Sequence, residues 1–235
     1  MAADRASPPH WIGVANMSMV QRLTGLRWHQ QRPVVMVGMG HGATHWLMGT
    51  FYILLPFIAR QLNLSYTEAG LLVATVHVSS FATNLFSGAV VDVTGRRVPI
   101  LVASLCIGAL ALASFGTAVG VLGLLPLVMI MGCTNNMWHP AAISYISRRF
   151  PEQRGYALSI HALGANGGDA LAPLAVGAML VWLSWPQAAM AAAVPTLAVA
   201  ALLFLFLPRQ SQAERRSSKL GGDKTEGMSL AAYWR

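Results

Sequence analysis

The stretch that decides the fold is GAVVDVTGRRVPI, residues 88–100, because it joins two long apolar segments through a tight, basic turn. Gly95 permits the reversal, since glycine adopts left-handed backbone conformations that other residues avoid. Arg96 and Arg97 are expected to anchor the turn on the cytoplasmic face of a membrane. Asp92 is placed to accept hydrogen bonds from the start of the second segment, where the helix dipole favours an anion. The pattern indicates a helical hairpin that crosses a bilayer and returns.

Outward from this turn, the chain is too apolar for an ordinary soluble protein. Of its 235 residues, 55% are hydrophobic and 10% are charged, whereas a soluble domain carries about 25% charged residues. A helix needs about 20 apolar residues to span the hydrocarbon core of a membrane. Six segments meet that requirement: 34–58, 67–91, 98–118, 121–146, 156–181 and 186–207. They predict an all-α integral membrane protein built as a bundle of six transmembrane helices.

Positive charge lies almost entirely on one side of the predicted bundle. Of the 16 Lys and Arg residues, all but Arg60 fall in the two tails or in the loops after spans two and four. This asymmetry predicts that both termini are cytoplasmic, in a plasma membrane (the inner membrane of a bacterium), with the lipid bilayer as the partner and not a nucleic acid. The predicted regions are a tail over 1–33, the bundle over 34–207 and a second tail over 208–235.

Polar side chains are concentrated in spans one, two, four and five. Such groups are costly in hydrocarbon, so they normally face the bundle interior or a water-filled cavity. The candidates for substrate binding or ion coupling are His41, His45, Asn136, His139, Asn166 and Asp169. The alternative for each imidazole is a bond to a neighbouring carbonyl that only holds helices together.

Asp169 is the only acid deep inside a predicted span. A carboxylate there is expected to be protonated, paired or exposed to water, and a role in proton coupling or substrate binding stands beside a purely structural one. His41 and His139 have similar predicted depths and could face one cavity. On the same span as Asp169, Gly164 and Gly168 begin a stripe of small residues that allows a neighbouring helix to approach closely.

Metal, cofactor and enzymatic functions have no motif in this sequence. The number of histidines permits a metal site, but no carboxylate or thiolate spacing supports one, so no metal is predicted. No nucleophile–base pair and no phosphate-binding loop occur in the cytoplasmic segments, so neither a cofactor nor an enzymatic activity is predicted.

The two basic loops carry motifs that resemble those of the major facilitator superfamily. Residues 88–97 follow G-x-x-x-D-x-x-G-R-[RK], and residues 149–155 (RFPEQRG) follow R-x-P-x-x-R-G, each in the loop where the superfamily has it. The resemblance implies a cytoplasmic gate formed by Gly88, Asp92, Gly95, Arg96, Arg97, Arg149, Arg154 and Gly155. Full members have two six-span halves, so the chain resembles the N-terminal half.

Within the superfamily, residues 36–180 are most similar to the fosmidomycin-resistance exporters. The similarity is carried by His41, Pro56, the stretch LNLSYTEAGLLV at 62–73 and the His139–Pro140 pair. That group often has an acid four residues after the first histidine; here His45 occupies the position, and Asp169 is our hypothesis for a relocated acid. The arginine that many drug–proton antiporters carry in span four has no counterpart.

The resemblance implies secondary transport of a small organic solute or drug by alternating access, coupled to an ion. A second six-span half or a homodimer partner would complete the pathway, because the sequence resembles a fragment or half of a full transporter. The alternative is a non-transporting truncated remnant, or a membrane scaffold that pairs with another membrane protein.

Overall fold

The computed structural model describes residues 19–209, and this part of the chain is helical without a β-strand. In chain order the helices are α1 (Met19–Thr24), α2 (Trp28–Gln61), α3 (Tyr66–Thr94), α4 (Arg97–Ala113), a short 3-10 helix (Ser114–Thr117), α5 (Gly120–Arg149), α6 (Arg154–Trp182) and α7 (Trp185–Phe206). The long helices α2 to α7 coincide with the six predicted segments, so the predicted all-helical bundle is confirmed. The first of them begins at Trp28, inside the predicted tail over 1–33, whereas nearly all of the predicted tail over 208–235 lies outside the described residues.

Local sequence determines where several helices begin and end. Ser65 and Glu68 form a capping box at the start of α3, in which the Ser65 hydroxyl accepts from the Glu68 backbone and the Glu68 carboxylate accepts from the Ser65 backbone. This arrangement satisfies backbone N–H groups that have no partner within the helix. Ser184 and Gln187 do the same for α7. At the other end of α3, Gly95 has φ +61° and reverses the chain, as the sequence predicted.

The bundle is organised around α2, which packs along α6 on one side and against α7 on the other. α4 packs between α5 and α7, and α3 packs mainly against α5. Two buried clusters fill the interior, one containing Phe51 and Leu112 and the other containing Trp138 and Leu101. Large apolar side chains such as Phe81 remain exposed on the outer surface, where lipid would cover them in a membrane.

Five of the described helices are long and apolar enough to cross a membrane: α2, α3, α4 with its 3-10 extension, α5 and α7. α6 has 29 residues, which is sufficient length, but His161, Asn166 and Asp169 make it less apolar. It packs lengthwise against α2 and completes the bundle. The chain is therefore a multi-pass membrane protein, and α6 contributes His161 and Asp169 to the polar group described below.

Glycines bring α2 and α6 into close contact. A Cβ atom added at Gly42 would lie 2.7 Å from the backbone oxygen of Gly164, and one added at Gly164 would overlap the backbone oxygen of Gly38. Gly168 faces the carbonyl of Gly42 in the same way. Small residues permit such approach between membrane helices, where packing rather than the hydrophobic effect drives association. The backbones of α2 and α6 are thus close enough for polar side chains to bridge them.

The two basic loops lie at the same end of the bundle. The Arg97 side chain, at the start of α4, is buried and donates from Nε to the Ser144 hydroxyl near the end of α5, at 2.7 Å. The Tyr156 hydroxyl, at the start of α6, donates to Gln31 Oε1 near the start of α2, also at 2.7 Å. The first bond joins the start of α4 to the end of α5, and the second joins the start of α6 to the N-terminal end of α2.

Candidate functional site

A cluster of imidazoles is centred on His41, which is buried on the face of α2 that meets α6. Its Nδ1 lies 2.8 Å from the backbone oxygen of His161 on α6. The two rings stack almost in parallel, with centroids 3.8 Å apart and an interplanar angle of 9°. Because a carbonyl oxygen only accepts, His41 must carry a proton on Nδ1, which leaves Nε2 as the nitrogen that points to other partners.

His139 on α5 completes the contact with His41. The two Nε2 atoms lie 3.3 Å apart, and the ring centroids are 5.0 Å apart in an edge-to-face arrangement. The Nδ1 of His139 lies 2.9 Å from the backbone oxygen of Asn135, one turn earlier on α5. His139 is therefore also protonated on Nδ1, and its Nε2 is directed at His41.

One turn further along α2, His45 binds Asp169, the only acid deep inside a span among residues 19–209. Its Nδ1 lies 3.0 Å from both carboxylate oxygens of Asp169 on α6. The His45 and Asp169 side chains are 31% and 58% exposed, respectively. This carboxylate is therefore both paired and accessible, two of the conditions that the sequence predicted for an acid at this depth. The His45 ring also contacts the edge of His41, with centroids 4.8 Å apart.

The other two substrate candidates lie outside this hydrogen-bonded group. Asn136 on α5 is half-buried and Asn166 on α6 is exposed. Neither side chain forms a hydrogen bond within residues 19–209. The structure therefore unites four of the six predicted candidates, His41, His45, His139 and Asp169, into one chain of contacts from α5 through α2 to α6.

His161 belongs to the cluster but was not among the predicted site residues. Its backbone oxygen holds His41 and its ring stacks on the His41 ring. Two signals in the sequence point to it: it lies two turns before Asp169, and it comes three residues before Gly164, which contacts α2. What the sequence lacked was the identity of the helix that packs against that glycine.

The predicted gate residues occupy the basic end of the bundle and differ in environment. Arg97 is buried, whereas Asp92, Arg96, Arg149 and Arg154 are exposed. α4 begins at Arg97, and its N-cap residue Arg96 supplies no side-chain cap, so the capping of this helix by Asp92 stays a prediction. A Cβ atom added at Gly88 or Gly155 would meet nothing within 4 Å.

A separate apolar cavity of about 370 Å³ lies between α2 and α7 near the basic end. Its lining includes Trp28, Val35, Met39, Leu202 and Phe206. None of the clustered histidines contributes to it, so the polar chemistry and this apolar space are distinct features of the molecule.

Chemically, the cluster can hold a proton or another cation. Asp169 and His45 can share or release a proton, because protonation of the carboxylate removes the charge that the imidazole N–H binds. The three rings of His41, His45 and His139 also present one ring nitrogen each, all within 4.8 Å of one another. Neutral imidazole is the commonest metal ligand in proteins. The arrangement joins three helices through groups that exchange protons or bind cations.

Comparison with known proteins places the chain in a family. Residues 37–235 match the family described as the Major Facilitator Superfamily. The uncharacterized MFS-type transporter YfnC of Bacillus subtilis (strain 168) is 25% identical over 200 residues, which cover 84% of this chain and 48% of that protein. The uncharacterized MFS-type transporter YwoD of the same organism is 27% identical over 134 residues, covering 55% of this chain and 28% of that protein. The chain thus spans about half the length of YfnC and less of YwoD. By the extent of the match and the six long helices, the chain belongs to the major facilitator superfamily.

Proposed function

We propose that the chain is a secondary active transporter, or the N-terminal half of one, that moves a small organic solute or drug by alternating access with ion coupling. The observation that carries this proposal is the His45–Asp169 pair. An ionisable pair among apolar helices is costly, and such groups in membrane proteins usually mark ion or substrate pathways. Because the Asp169 side chain is exposed, protons and solutes can reach the His45–Asp169 pair from the surface of the bundle.

The coupling step follows from the geometry of this pair. When Asp169 is ionised, it accepts from His45 and links α6 to α2. When it is protonated, the charge that holds the imidazole N–H is lost and the link between the two helices weakens. A proton would thus change how firmly α2 and α6 are joined at the depth where a substrate passes.

The gate in this proposal is the basic end of the bundle. Asp92, Arg96, Arg149 and Arg154 are exposed there and free to contact a second half. The open space beside Gly88 and Gly155 leaves room for such a surface. With this end on the cytoplasmic side of a bacterial inner membrane, a second six-span half or another copy of the chain would complete the pathway.

Asp92→Asn is expected to impair gating, measured as a reduced transport rate at unchanged expression.

The resemblance to fosmidomycin-resistance exporters makes fosmidomycin the first compound to test. The decisive variant is Asp169→Asn, which keeps the shape and removes the charge. Glu152→Gln, an exposed acid in the loop between α5 and α6, is the matched control. In vesicles that contain the complete assembly, Asp169→Asn should abolish gradient-driven flux and keep substrate counterflow, while Glu152→Gln keeps both.

Unchanged driven transport in Asp169→Asn would remove Asp169 from the coupling mechanism. Flux from the purified chain alone would identify a working dimer, and flux only with a second six-span polypeptide would identify a split transporter. If neither condition gives flux with a panel of small organic solutes, the transport proposal fails and a remnant or scaffold takes its place.

A further inference from the structure

Three histidines of the cluster, His41, His45 and His139, have their Nδ1 atoms engaged by oxygen. The Nδ1 of His41 bonds to the carbonyl of His161, that of His139 to the carbonyl of Asn135, and that of His45 to the Asp169 carboxylate. A carbonyl or a carboxylate accepts and does not donate, so each Nδ1 carries the hydrogen. In the neutral rings, Nε2 is therefore the nitrogen with a free lone pair in all three histidines.

Two of these lone pairs face each other at short range. The Nε2 atoms of His41 and His139 are 3.3 Å apart, yet neither carries a hydrogen in the neutral state. Two bare nitrogens at this distance repel unless a cation lies between them. In a tetrahedral Zn²⁺ site with Zn–N bonds of about 2.05 Å, neighbouring ligand nitrogens are about 3.3 Å apart. The observed separation is that of two ligands on one zinc ion.

His45 offers a third imidazole beside this pair, and the hydrogen-bond partners of an outer shell are also present. A ring nitrogen of His45 lies within 4.8 Å of those of His41 and His139, so an approach of at most about 1.5 Å would give the spacing of a zinc site. His45 is half-exposed, which leaves its ring room to move. The Nδ1–H bonds to carbonyls and to Asp169 match the outer shell of metal-ligating histidines, which orients the ring and increases its basicity.

From this geometry we propose that His41, His45 and His139 bind one divalent transition-metal ion of the Zn²⁺ class through Nε2, with Asp169 orienting His45 and water in the fourth position. The sequence predicted no metal site, because the ligands come from two helices 98 residues apart and lack a local motif. A bound ion would connect α2 to α5, and through Asp169 to α6. The site goes beyond the proposed transport function and does not depend on it.

The simplest competing explanation is a single proton shared between His41 and His139. That explanation also removes the lone-pair repulsion, but it predicts no saturable binding of metal. It also gives no role to His45, whereas the metal site requires the third ring. Direct binding measurements therefore separate the two explanations.

The test uses the full chain in detergent, without a polyhistidine tag, titrated with Zn²⁺ by calorimetry and with Co²⁺ by absorption spectroscopy. We expect one ion per chain and a Co²⁺ spectrum of tetrahedral type. His139→Ala and His45→Ala should each abolish saturable binding, and circular dichroism should show retained helix content. Asp169→Asn should lower the affinity about 10- to 100-fold, as loss of an outer-shell partner does.

The matched control is His77→Ala. His77 is exposed on α3 and bonds to the Tyr52 hydroxyl at 3.0 Å, outside the cluster, so its loss should leave binding unchanged. The proposal is overturned if the wild-type chain binds no ion at millimolar Zn²⁺, if His45→Ala binds as tightly as wild type, or if His77→Ala weakens binding equally. Proton-coupled transport without metal binding would refute this site alone, and metal binding without transport would refute only the transport function.

Discussion

Replacing Gly42 by alanine should push α2 away from α6 and weaken the polar contacts between them. The added Cβ would lie 2.7 Å from the Gly164 oxygen, whereas ordinary contact begins at 3.4 Å, so the helices must separate locally by about 0.7 Å. The same shift would lengthen the His41–His161 bond from 2.8 Å to about 3.5 Å, at the limit of a hydrogen bond. Hydrogen bonds between membrane helices contribute about 0.6 to 1.7 kcal/mol each. Losing this bond and the His45–Asp169 bond would then cost about 1 to 3 kcal/mol.

The assay is thermal unfolding in detergent, followed by tryptophan fluorescence, with Gly167→Ala as the control. A Cβ atom at Gly167 meets nothing within 4 Å, although the residue lies on α6 one turn from Gly164. Alanine favours a helix over glycine by up to about 1 kcal/mol at either position, so the difference between the two variants isolates the contact. Gly42→Ala should unfold at a lower temperature than wild type, and Gly167→Ala at the same or a higher one. Equal midpoints for the two variants would refute the close packing of α2 on α6.

Three further substitutions test other parts of the fold by the same unfolding assay. Arg97→Ala should destabilise the bundle by about 1 to 3 kcal/mol, because it leaves the Ser144 hydroxyl on α5 without its charged partner. Arg96→Ala, at the exposed neighbour, should change the stability little. Similar losses of stability in the two variants would contradict a stabilising role for the Arg97–Ser144 bond. Gly95→Ala should cost about 1 to 2 kcal/mol, because its φ is +61°. Gly88→Ala, inside α3 with open space beside it, should be neutral or stabilising by up to about 1 kcal/mol. A tolerated Gly95→Ala would argue against the turn. Trp46→Phe removes a 2.7 Å bond to an α7 carbonyl and should cost about 0.5 to 1.5 kcal/mol, and an unchanged midpoint would show that this bond contributes nothing.

The positions of the helices were predictable because every span must cross the same thickness of hydrocarbon. Runs of about 20 apolar residues separated by basic loops leave little freedom in where a helix lies. The turn at Gly95 was equally clear, since its backbone conformation suits glycine above other residues. The extension of α2 back to Trp28 was missed, because hydropathy marks the part of a helix in lipid and not the turns that continue beyond it.

The site was only partly predictable, for a reason that lies in packing. Similar predicted depths suggested that His41 and His139 could face one cavity. The sequence also marked Gly164 and Gly168 as a surface for close approach. Nothing local, however, identified α2 as the helix that occupies this surface, and so the pairing of His45 with Asp169 and the stacking of His161 became visible only in the folded bundle.

The glycine contact between α2 and α6 has a consequence for how this sequence can change over generations. A larger residue at Gly42 or Gly164 separates the two backbones, and the imidazole–carboxylate pair then loses the geometry that makes its presence in lipid tolerable. Relatives that have replaced either glycine should therefore also have replaced His45 or Asp169, and relatives that retain the pair should retain both glycines. In an alignment of such relatives, these four columns should vary together, so that the chemistry of the bundle is inherited or lost as a single unit.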